Sequence, residues 1–169
     1  VISDFYSLHK SELGQKVIFV VRLESDGATN AFLKMLTETY RPLDIAVLST
    51  NPEFVKRIKS STAGNHVRGA VEFAEGTPEA QIVRTTQESQ AIMAIIPQSM
   101  ASTQTVRYIH ARFKTVWVRV SSDKGVDLYD CINSGTYGII TQDYQKAYDT
   151  LATYTQGLTR TPFNVAHRG

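Results

Sequence analysis

The sequence predicts an α/β fold built from parallel β/α units, because three signals agree along its 169 residues. Short β-rich runs alternate with segments of helical periodicity. Most of the β-rich runs are continuously apolar, which is typical of parallel strands that helices cover. Residues that begin and end helices stand between the two kinds of segment. Strand and helix therefore alternate as in a parallel sheet.

The β-rich runs predict six strands in chain order. They contain many β-branched and aromatic residues, as in "VIFVV" and "TVWVRV", which favour strands. The predicted strands lie at 17–21, 44–49, 68–73, 91–96, 115–120 and 137–141. A seventh run, "FNVAHR", is close to the end of the sequence and reads as a further strand.

Helical periodicity follows most of these strands. A leading helix is predicted over about 3–13, and 78–89 is the weakest helical segment because it is mostly polar. The predicted buried faces are Ala28, Ala31, Phe32, Met35 and Leu36; then Phe54, Val55 and Ile58; then Tyr144, Ala147, Tyr148 and Leu151.

"NPE" at 51–53 and "TPE" at 77–79 each place a capping side chain before a proline and an acidic residue, which predicts two helix starts.

The overall composition gives no support for several classes of partner and protein. Eighteen basic and sixteen acidic residues give a net charge of +2, which is too small to indicate nucleic acid or an anionic membrane as partner. No apolar run approaches the roughly 18 residues of a membrane span. A lone Cys131 excludes an internal disulfide. We expect a soluble protein, cytoplasmic or exported with its signal removed, since the chain starts at Val1 and shows no signal peptide.

Charged side chains stand where several predicted strands end. In parallel β/α folds the chemistry lies at the carboxyl ends of the strands. Arg22 and Arg119 could bind a phosphate through bidentate guanidinium contacts, or each could pair with a nearby acid. Trp117 could wall a ligand pocket or belong to the core. An alternative metal site would use Glu24, Glu72, Glu75 and Asp123.

Three stretches, in order, resemble the glycerophosphodiester phosphodiesterase family. They are "IAVLSTNPEFVKRIK" (45–59), "FKTVWVRVSSDKGVDLYDCINSGTYGIITQDYQ" (113–145) and "NVAHRG" (164–169). The last is similar to the family's first strand, which carries a His-Arg-Gly signature, and here it comes last. The resemblance therefore implies a divergent, amino-truncated domain at 1–156, followed at 157–169 by a linker and the first strand of a second such domain.

The fold that the resemblance implies is an eight-stranded β/α barrel. With six or seven strands, we expect a partial, TIM-barrel-like domain, and an open doubly wound sheet is the alternative. An incomplete barrel leaves strand edges unpaired. We therefore expect a homodimer, or docking of the module to the domain that follows it.

The family hydrolyses glycerophosphodiesters to an alcohol and glycerol 3-phosphate, with Ca²⁺ or Mg²⁺ held by carboxylates. By resemblance, His167 would be an acid or base and Arg168 a phosphate ligand. Other matched positions depart from the pattern: Val20 replaces a metal carboxylate, Arg22 replaces a lysine, and Gln142 replaces an aspartate. The resemblance therefore implies no cofactor in this chain, although a complete family member would hold Ca²⁺ or Mg²⁺.

Three functions remain open at this point. The first is a non-catalytic accessory or dimerisation domain of a phosphodiesterase. The second is a regulatory domain that binds a phosphorylated small molecule at Arg22 and Arg119. The third is a hydrolase completed by dimerisation, in which His167 and Arg168 act on the same or a partner chain.

Overall fold

A computed structural model of the chain describes residues 18–38, 45–120 and 128–155. The strands are β1 (Phe19–Arg22), β2 (Ile45–Ser49), β3 (Arg68–Glu72), β4 (Met93–Pro97), β5 (Thr115–Arg119) and β6 (Gly138–Ile140). The helices are α1 (Asp26–Glu38), α2 (Pro52–Lys59), α3 (Glu79–Glu88), α4 (Thr103–His110), α5 (Leu128–Asn133) and α6 (Tyr144–Thr155). All six predicted strands are confirmed to within two residues at each end. The leading helix and the seventh strand lie outside the described residues.

The six strands form one parallel sheet in the order β1-β2-β3-β4-β5-β6. Each strand pairs with the next one along the chain, for example with Val20 opposite Ala46 and Val118 opposite Ile139. A doubly wound sheet would reverse its strand order at a switch point, so that alternative is wrong. The sheet curls into a half-barrel, and helices α1 to α4 each contact the next in a single outer layer. The partial, TIM-barrel-like fold is confirmed.

The outward face of the sheet packs against the helices. The predicted apolar face of α2, formed by Phe54, Val55 and Ile58, is buried there. Helix α3 also belongs to this layer despite its polar composition, because Ile82 is fully buried. Two apolar clusters fill the layer: Leu23, Phe32, Ile45, Val47 and Val71 with α2, and Ala94, Ile96, Val116 and Val118 with Ile82, Val106 and Ile109.

The concave face of the sheet carries the alternate residues of the same strands. Its buried members are Ala46, Leu48, Ala70, Met93 and Ile95, with Ile18, Trp117 and Ile140 packed against them. Side chains of a strand alternate between the two faces, so this small layer corresponds to the interior of a barrel. The end residues of β1, β3 and β5 lie on this same concave face.

The helix starts were predicted correctly in one case and wrongly in another. Asn51 caps α2, since its Oδ1 accepts a hydrogen bond from the Glu53 amide at 3.0 Å. Thr77 does not cap α3: its hydroxyl donates to the Ala74 carbonyl at 2.7 Å, and Pro78 occupies the cap position. The proline is extended there and its carbonyl accepts from the Ile82 amide at 3.0 Å, so the helix begins one residue later.

Parts of two predicted helix faces are wrong. Ala28 and Ala31 of α1 are exposed, whereas Thr29 is buried beside the predicted Phe32. Tyr148 of α6 is 69% exposed instead of packed. Ala28, Ala31 and Tyr148 fit an apolar periodicity, but no other element in the described part of the chain buries them. In the described parts of the chain, no helix has the length and apolar character needed to cross a membrane.

Candidate functional site

The two predicted arginines lie at the carboxyl end of the sheet, on its concave face. Arg22 ends β1, Arg119 ends β5, and Glu72 ends β3 between them. The register places Arg22 opposite Leu48 and Glu72 opposite Ile95, both members of the concave layer. Side chains from alternate strands thus meet in one layer, as they do inside a TIM barrel.

Glu72 bridges the two arginines with its two carboxylate oxygens. Arg22 Nη1 donates to Glu72 Oε2 at 2.6 Å, and Arg119 Nε donates to Glu72 Oε1. The Glu72 side chain is only 13% exposed, against 44% for Arg22 and 37% for Arg119. Each of the two oxygens of this largely buried carboxylate therefore accepts a hydrogen bond from a guanidinium.

A second carboxylate completes the cluster. Glu24 pairs with Nε of Arg22, and the Thr50 hydroxyl donates to its other oxygen at 3.4 Å. Partial burial opposes the charge on Arg22, but its bonds to Glu72 and Glu24 outweigh this effect and raise the pKa of the guanidinium above its ordinary value. Two positive and two negative side chains thus balance one another, and we call these four residues the arginine–glutamate cluster.

Trp117 lies two residues before Arg119 on β5 and faces the same concave layer. Its ring packs on the backbone of Gly138, where an added Cβ would come within 2.7 Å of the ring carbon Cδ2. Nε1 of the indole is buried and has no hydrogen-bond partner in the described part of the chain. These contacts make Trp117 a packing residue of the concave face in this structure.

The residues around the cluster do not fit Ca²⁺ or Mg²⁺. Val20, two residues before Arg22 on the same face of β1, is 47% exposed and offers no oxygen ligand. Glu72 and Glu24 already pair with arginines, and Glu75 lies exposed in the loop after β3. Over 18–38, 45–120 and 128–155, no group of three histidine, cysteine, aspartate or glutamate side chains could hold a metal ion.

The remaining predicted site residues have no structural outcome. His167 and Arg168, and Asp123 of the alternative carboxylate set, lie outside the described residues. Sequence reasoning expected Arg22 and Arg119 to face either a phosphate or an acid, but it did not identify Glu72 as their common partner. The only signal was the position of Glu72 at the end of a strand.

Comparison with solved structures confirms the fold that the resemblance implied. The chain is similar to a protein from Galdieria sulphuraria assigned as a glycerophosphodiester phosphodiesterase, with a TM-score of 0.67 and 12% identity over 83% of this chain. It is also similar to a glycerophosphodiester phosphodiesterase from Thermotoga maritima, with a TM-score of 0.59 and 11% identity over 89% of this chain. It spans 59% of the first protein and 69% of the second. No protein-family model and no curated protein sequence matches the chain.

Proposed function

We propose that residues 1–156 form a non-catalytic, phosphodiesterase-like module of a glycerophosphodiester phosphodiesterase. The fold likeness to two such enzymes supports the family, and the "NVAHRG" stretch at 164–169 supports a second domain that carries the catalysis. In this proposal His167 and Arg168 serve that second domain as acid or base and as phosphate ligand. The whole protein would hydrolyse glycerophosphodiesters to an alcohol and glycerol 3-phosphate.

The arginine–glutamate cluster is the observation that carries the non-catalytic role. Hydrolysis of a phosphodiester by a divalent cation needs carboxylate oxygens that are free to bind the metal. At this end of the sheet, each Glu72 oxygen accepts from an arginine and Val20 contributes only methyl groups. Ion pairs between these side chains hold the strand ends together, but among the described residues they leave no ligand set for a cation.

The test is an assay of the 169-residue chain with glycerophosphocholine in the presence of Mg²⁺ or Ca²⁺. We expect no release of glycerol 3-phosphate above the protein-free rate, and no change of melting temperature on adding either cation. Release that depends on the cation and disappears in His167→Ala would instead support the hydrolase completed by dimerisation. The accessory role also predicts self-association or docking to the following domain, which sedimentation of the chain alone and of a longer chain would detect.

A phosphate-binding module is the second candidate, because both guanidiniums contact the Glu72 carboxylate and the Arg22 and Arg119 side chains remain 44% and 37% exposed. A phosphate ester could bind their outward N–H groups in place of water. This role predicts that glycerol phosphate raises the melting temperature, and that Arg119→Ala removes the effect. Glu72 weighs against it, because its charge competes with the phosphate for the same arginines.

A further inference from the structure

Among the residues that the structure describes, three large apolar side chains are exposed at the other end of the sheet. Ile92 directly precedes β4, Phe113 lies two residues before β5, and Tyr137 directly precedes β6. Their residues are 50%, 90% and 53% exposed, respectively. We call these three residues the apolar rim. It lies at the amino ends of the strands, away from the arginine–glutamate cluster.

The members of the apolar rim precede three neighbouring strands, β4, β5 and β6. The Thr115 amide donates to the Ile92 carbonyl at 2.9 Å, and the Tyr137 amide donates to the Val116 carbonyl at 2.8 Å. Neighbouring strands lie about 4.8 Å apart, so the rim spans about 10 Å of one edge. Large apolar residues exposed singly need no explanation, but three together on one edge indicate a contact surface.

Phe113 occupies a backbone conformation that does not favour it. Its φ of +60° lies in the left-handed region, which is uncommon for bulky residues. The corresponding turn before β6 uses Gly135, with φ of +86°. Since Phe113 is 90% exposed, burial within this chain does not offset the backbone cost. Backbone strain of this kind in an exposed aromatic residue points to a contact with another molecule.

The three loops that carry the apolar rim are basic, and the first of them follows the exposed Glu88 at the end of α3. The loops 89–92, 111–114 and 134–137 contain Arg112 and Lys114 and no acidic residue. The Arg112 guanidinium lies 3.5 Å from the centre of the Tyr108 ring and donates to the Tyr108 carbonyl at 2.8 Å. Lys114 Nζ donates to the Ala91 carbonyl at 3.0 Å. These contacts fix the positions of both cations, which flank Phe113 in the sequence.

This charge selects among the surfaces that could cover the apolar rim. A second copy of the chain docked rim to rim would place cations against cations, which disfavours a symmetric dimer. The occupant is therefore anionic and apolar at once. A rigid protein partner would need a matching pocket for a side chain as prominent as Phe113, whereas a fluid bilayer needs none.

We propose that the apolar rim docks the module on an anionic phospholipid surface. Phe113, Ile92 and Tyr137 enter the region of the headgroups, where aromatic side chains are favoured. Arg112 and Lys114 face lipid phosphates, and basic residues near such a surface strengthen binding. The proposal is independent of the phosphodiesterase-like role, because it uses the opposite end of the sheet.

The test is sedimentation of the 169-residue chain with vesicles of phosphatidylcholine, with and without phosphatidylglycerol. We expect binding to the anionic vesicles, reduced about tenfold in Phe113→Gly by loss of the buried aromatic surface. Phe113→Gly also relieves the left-handed backbone, so its melting temperature should not fall. Two matched controls should bind like the wild type: Tyr148→Ala removes an exposed aromatic on α6, and Gln90→Gly relieves the other strained turn at φ of +58°.

Two results would overturn the proposal. The first is no binding to anionic vesicles, and the second is binding that Phe113→Gly retains in full. If vesicles bind nothing and Phe113→Gly abolishes self-association of the free chain, the apolar rim is a protein interface instead.

Discussion

The carboxyl and amino ends of the sheet differ in whether their side chains have partners within the chain. At the carboxyl end, where β/α folds usually carry their chemistry, Arg22, Glu72 and Arg119 satisfy one another. At the amino end, where such folds usually show only structural residues, Phe113 and its neighbours are exposed to solvent. The comparison teaches that the position of a residue in a fold suggests a role, whereas its partners decide whether that role is available.

The largest expected effect concerns the concave layer that joins the two ends. Gly138→Ala would bring a Cβ to 2.7–3.0 Å from three atoms of the Trp117 ring, so the ring or strand β6 must shift. We expect a loss of about 2–3 kcal/mol of unfolding free energy, in the range seen for overpacked cores. Urea denaturation measures it.

Gly27→Ala is the control for this prediction, because its added Cβ meets only the Ser25 hydroxyl, at 4.0 Å. In the first turn of α1 this substitution should be neutral or should stabilise by up to about 1 kcal/mol. If Gly138→Ala were equally harmless, the concave layer would be loosely packed, and the two ends of the sheet would not be joined through it.

The next effect concerns the carboxyl end. Glu72→Gln keeps the shape of the side chain but removes the charge that two arginines share. We expect a loss of about 1–2 kcal/mol, less than for a fully buried pair because both arginines are more than a third exposed. Thermal and urea unfolding at low and high salt would measure it.

Glu24→Gln is the matched control, since the Glu24 side chain is 50% exposed and, within the described residues, pairs with one arginine, Arg22. Its cost should stay below about 0.5 kcal/mol, as for exposed ion pairs. Equal stability of Glu72→Gln and the wild type would mean that the arginine–glutamate cluster does not hold the strand ends. The ion pairs that distinguish the carboxyl end from the amino end would then add nothing measurable to the free energy of unfolding.

The smallest effect concerns the amino end and has the opposite sign. Phe113→Gly and Gln90→Gly each place glycine at a left-handed φ, so each should stabilise the fold by about 0.5–1 kcal/mol. Differential scanning calorimetry would detect the rise in melting temperature. Ala111→Gly, at a right-handed φ of −61° in the same turn as Phe113, should destabilise by a similar amount. A fall in stability for Phe113→Gly would show that the side chain packs within the chain.

Much of the architecture was predictable because it depends on local chemistry. Runs such as "DIAVLS" and "AIMAII" predicted their strands, and "NPE" predicted a cap because the side chain and its target amide are two residues apart. "TPE" failed because the helix begins one residue later than predicted, so that Pro78 and not Thr77 stands at the cap position. The periodicity of α6 failed at Tyr148, because periodicity does not say how much of a helix a neighbour will cover.

Local side-chain chemistry was sufficient to set the alternation of strand and helix in this chain, since both depend on residues close together. It was not sufficient to pair Arg22 with Glu72, 50 residues away, or Arg119 with Glu72, 47 residues away. Those partners meet because six parallel strands in sequential order curl so that the end residues of β1, β3 and β5 come together on the concave face. The same curl brings Ile92, Phe113 and Tyr137 to one edge. Contacts between distant residues depend on strand order and curvature, which the tertiary structure alone decides.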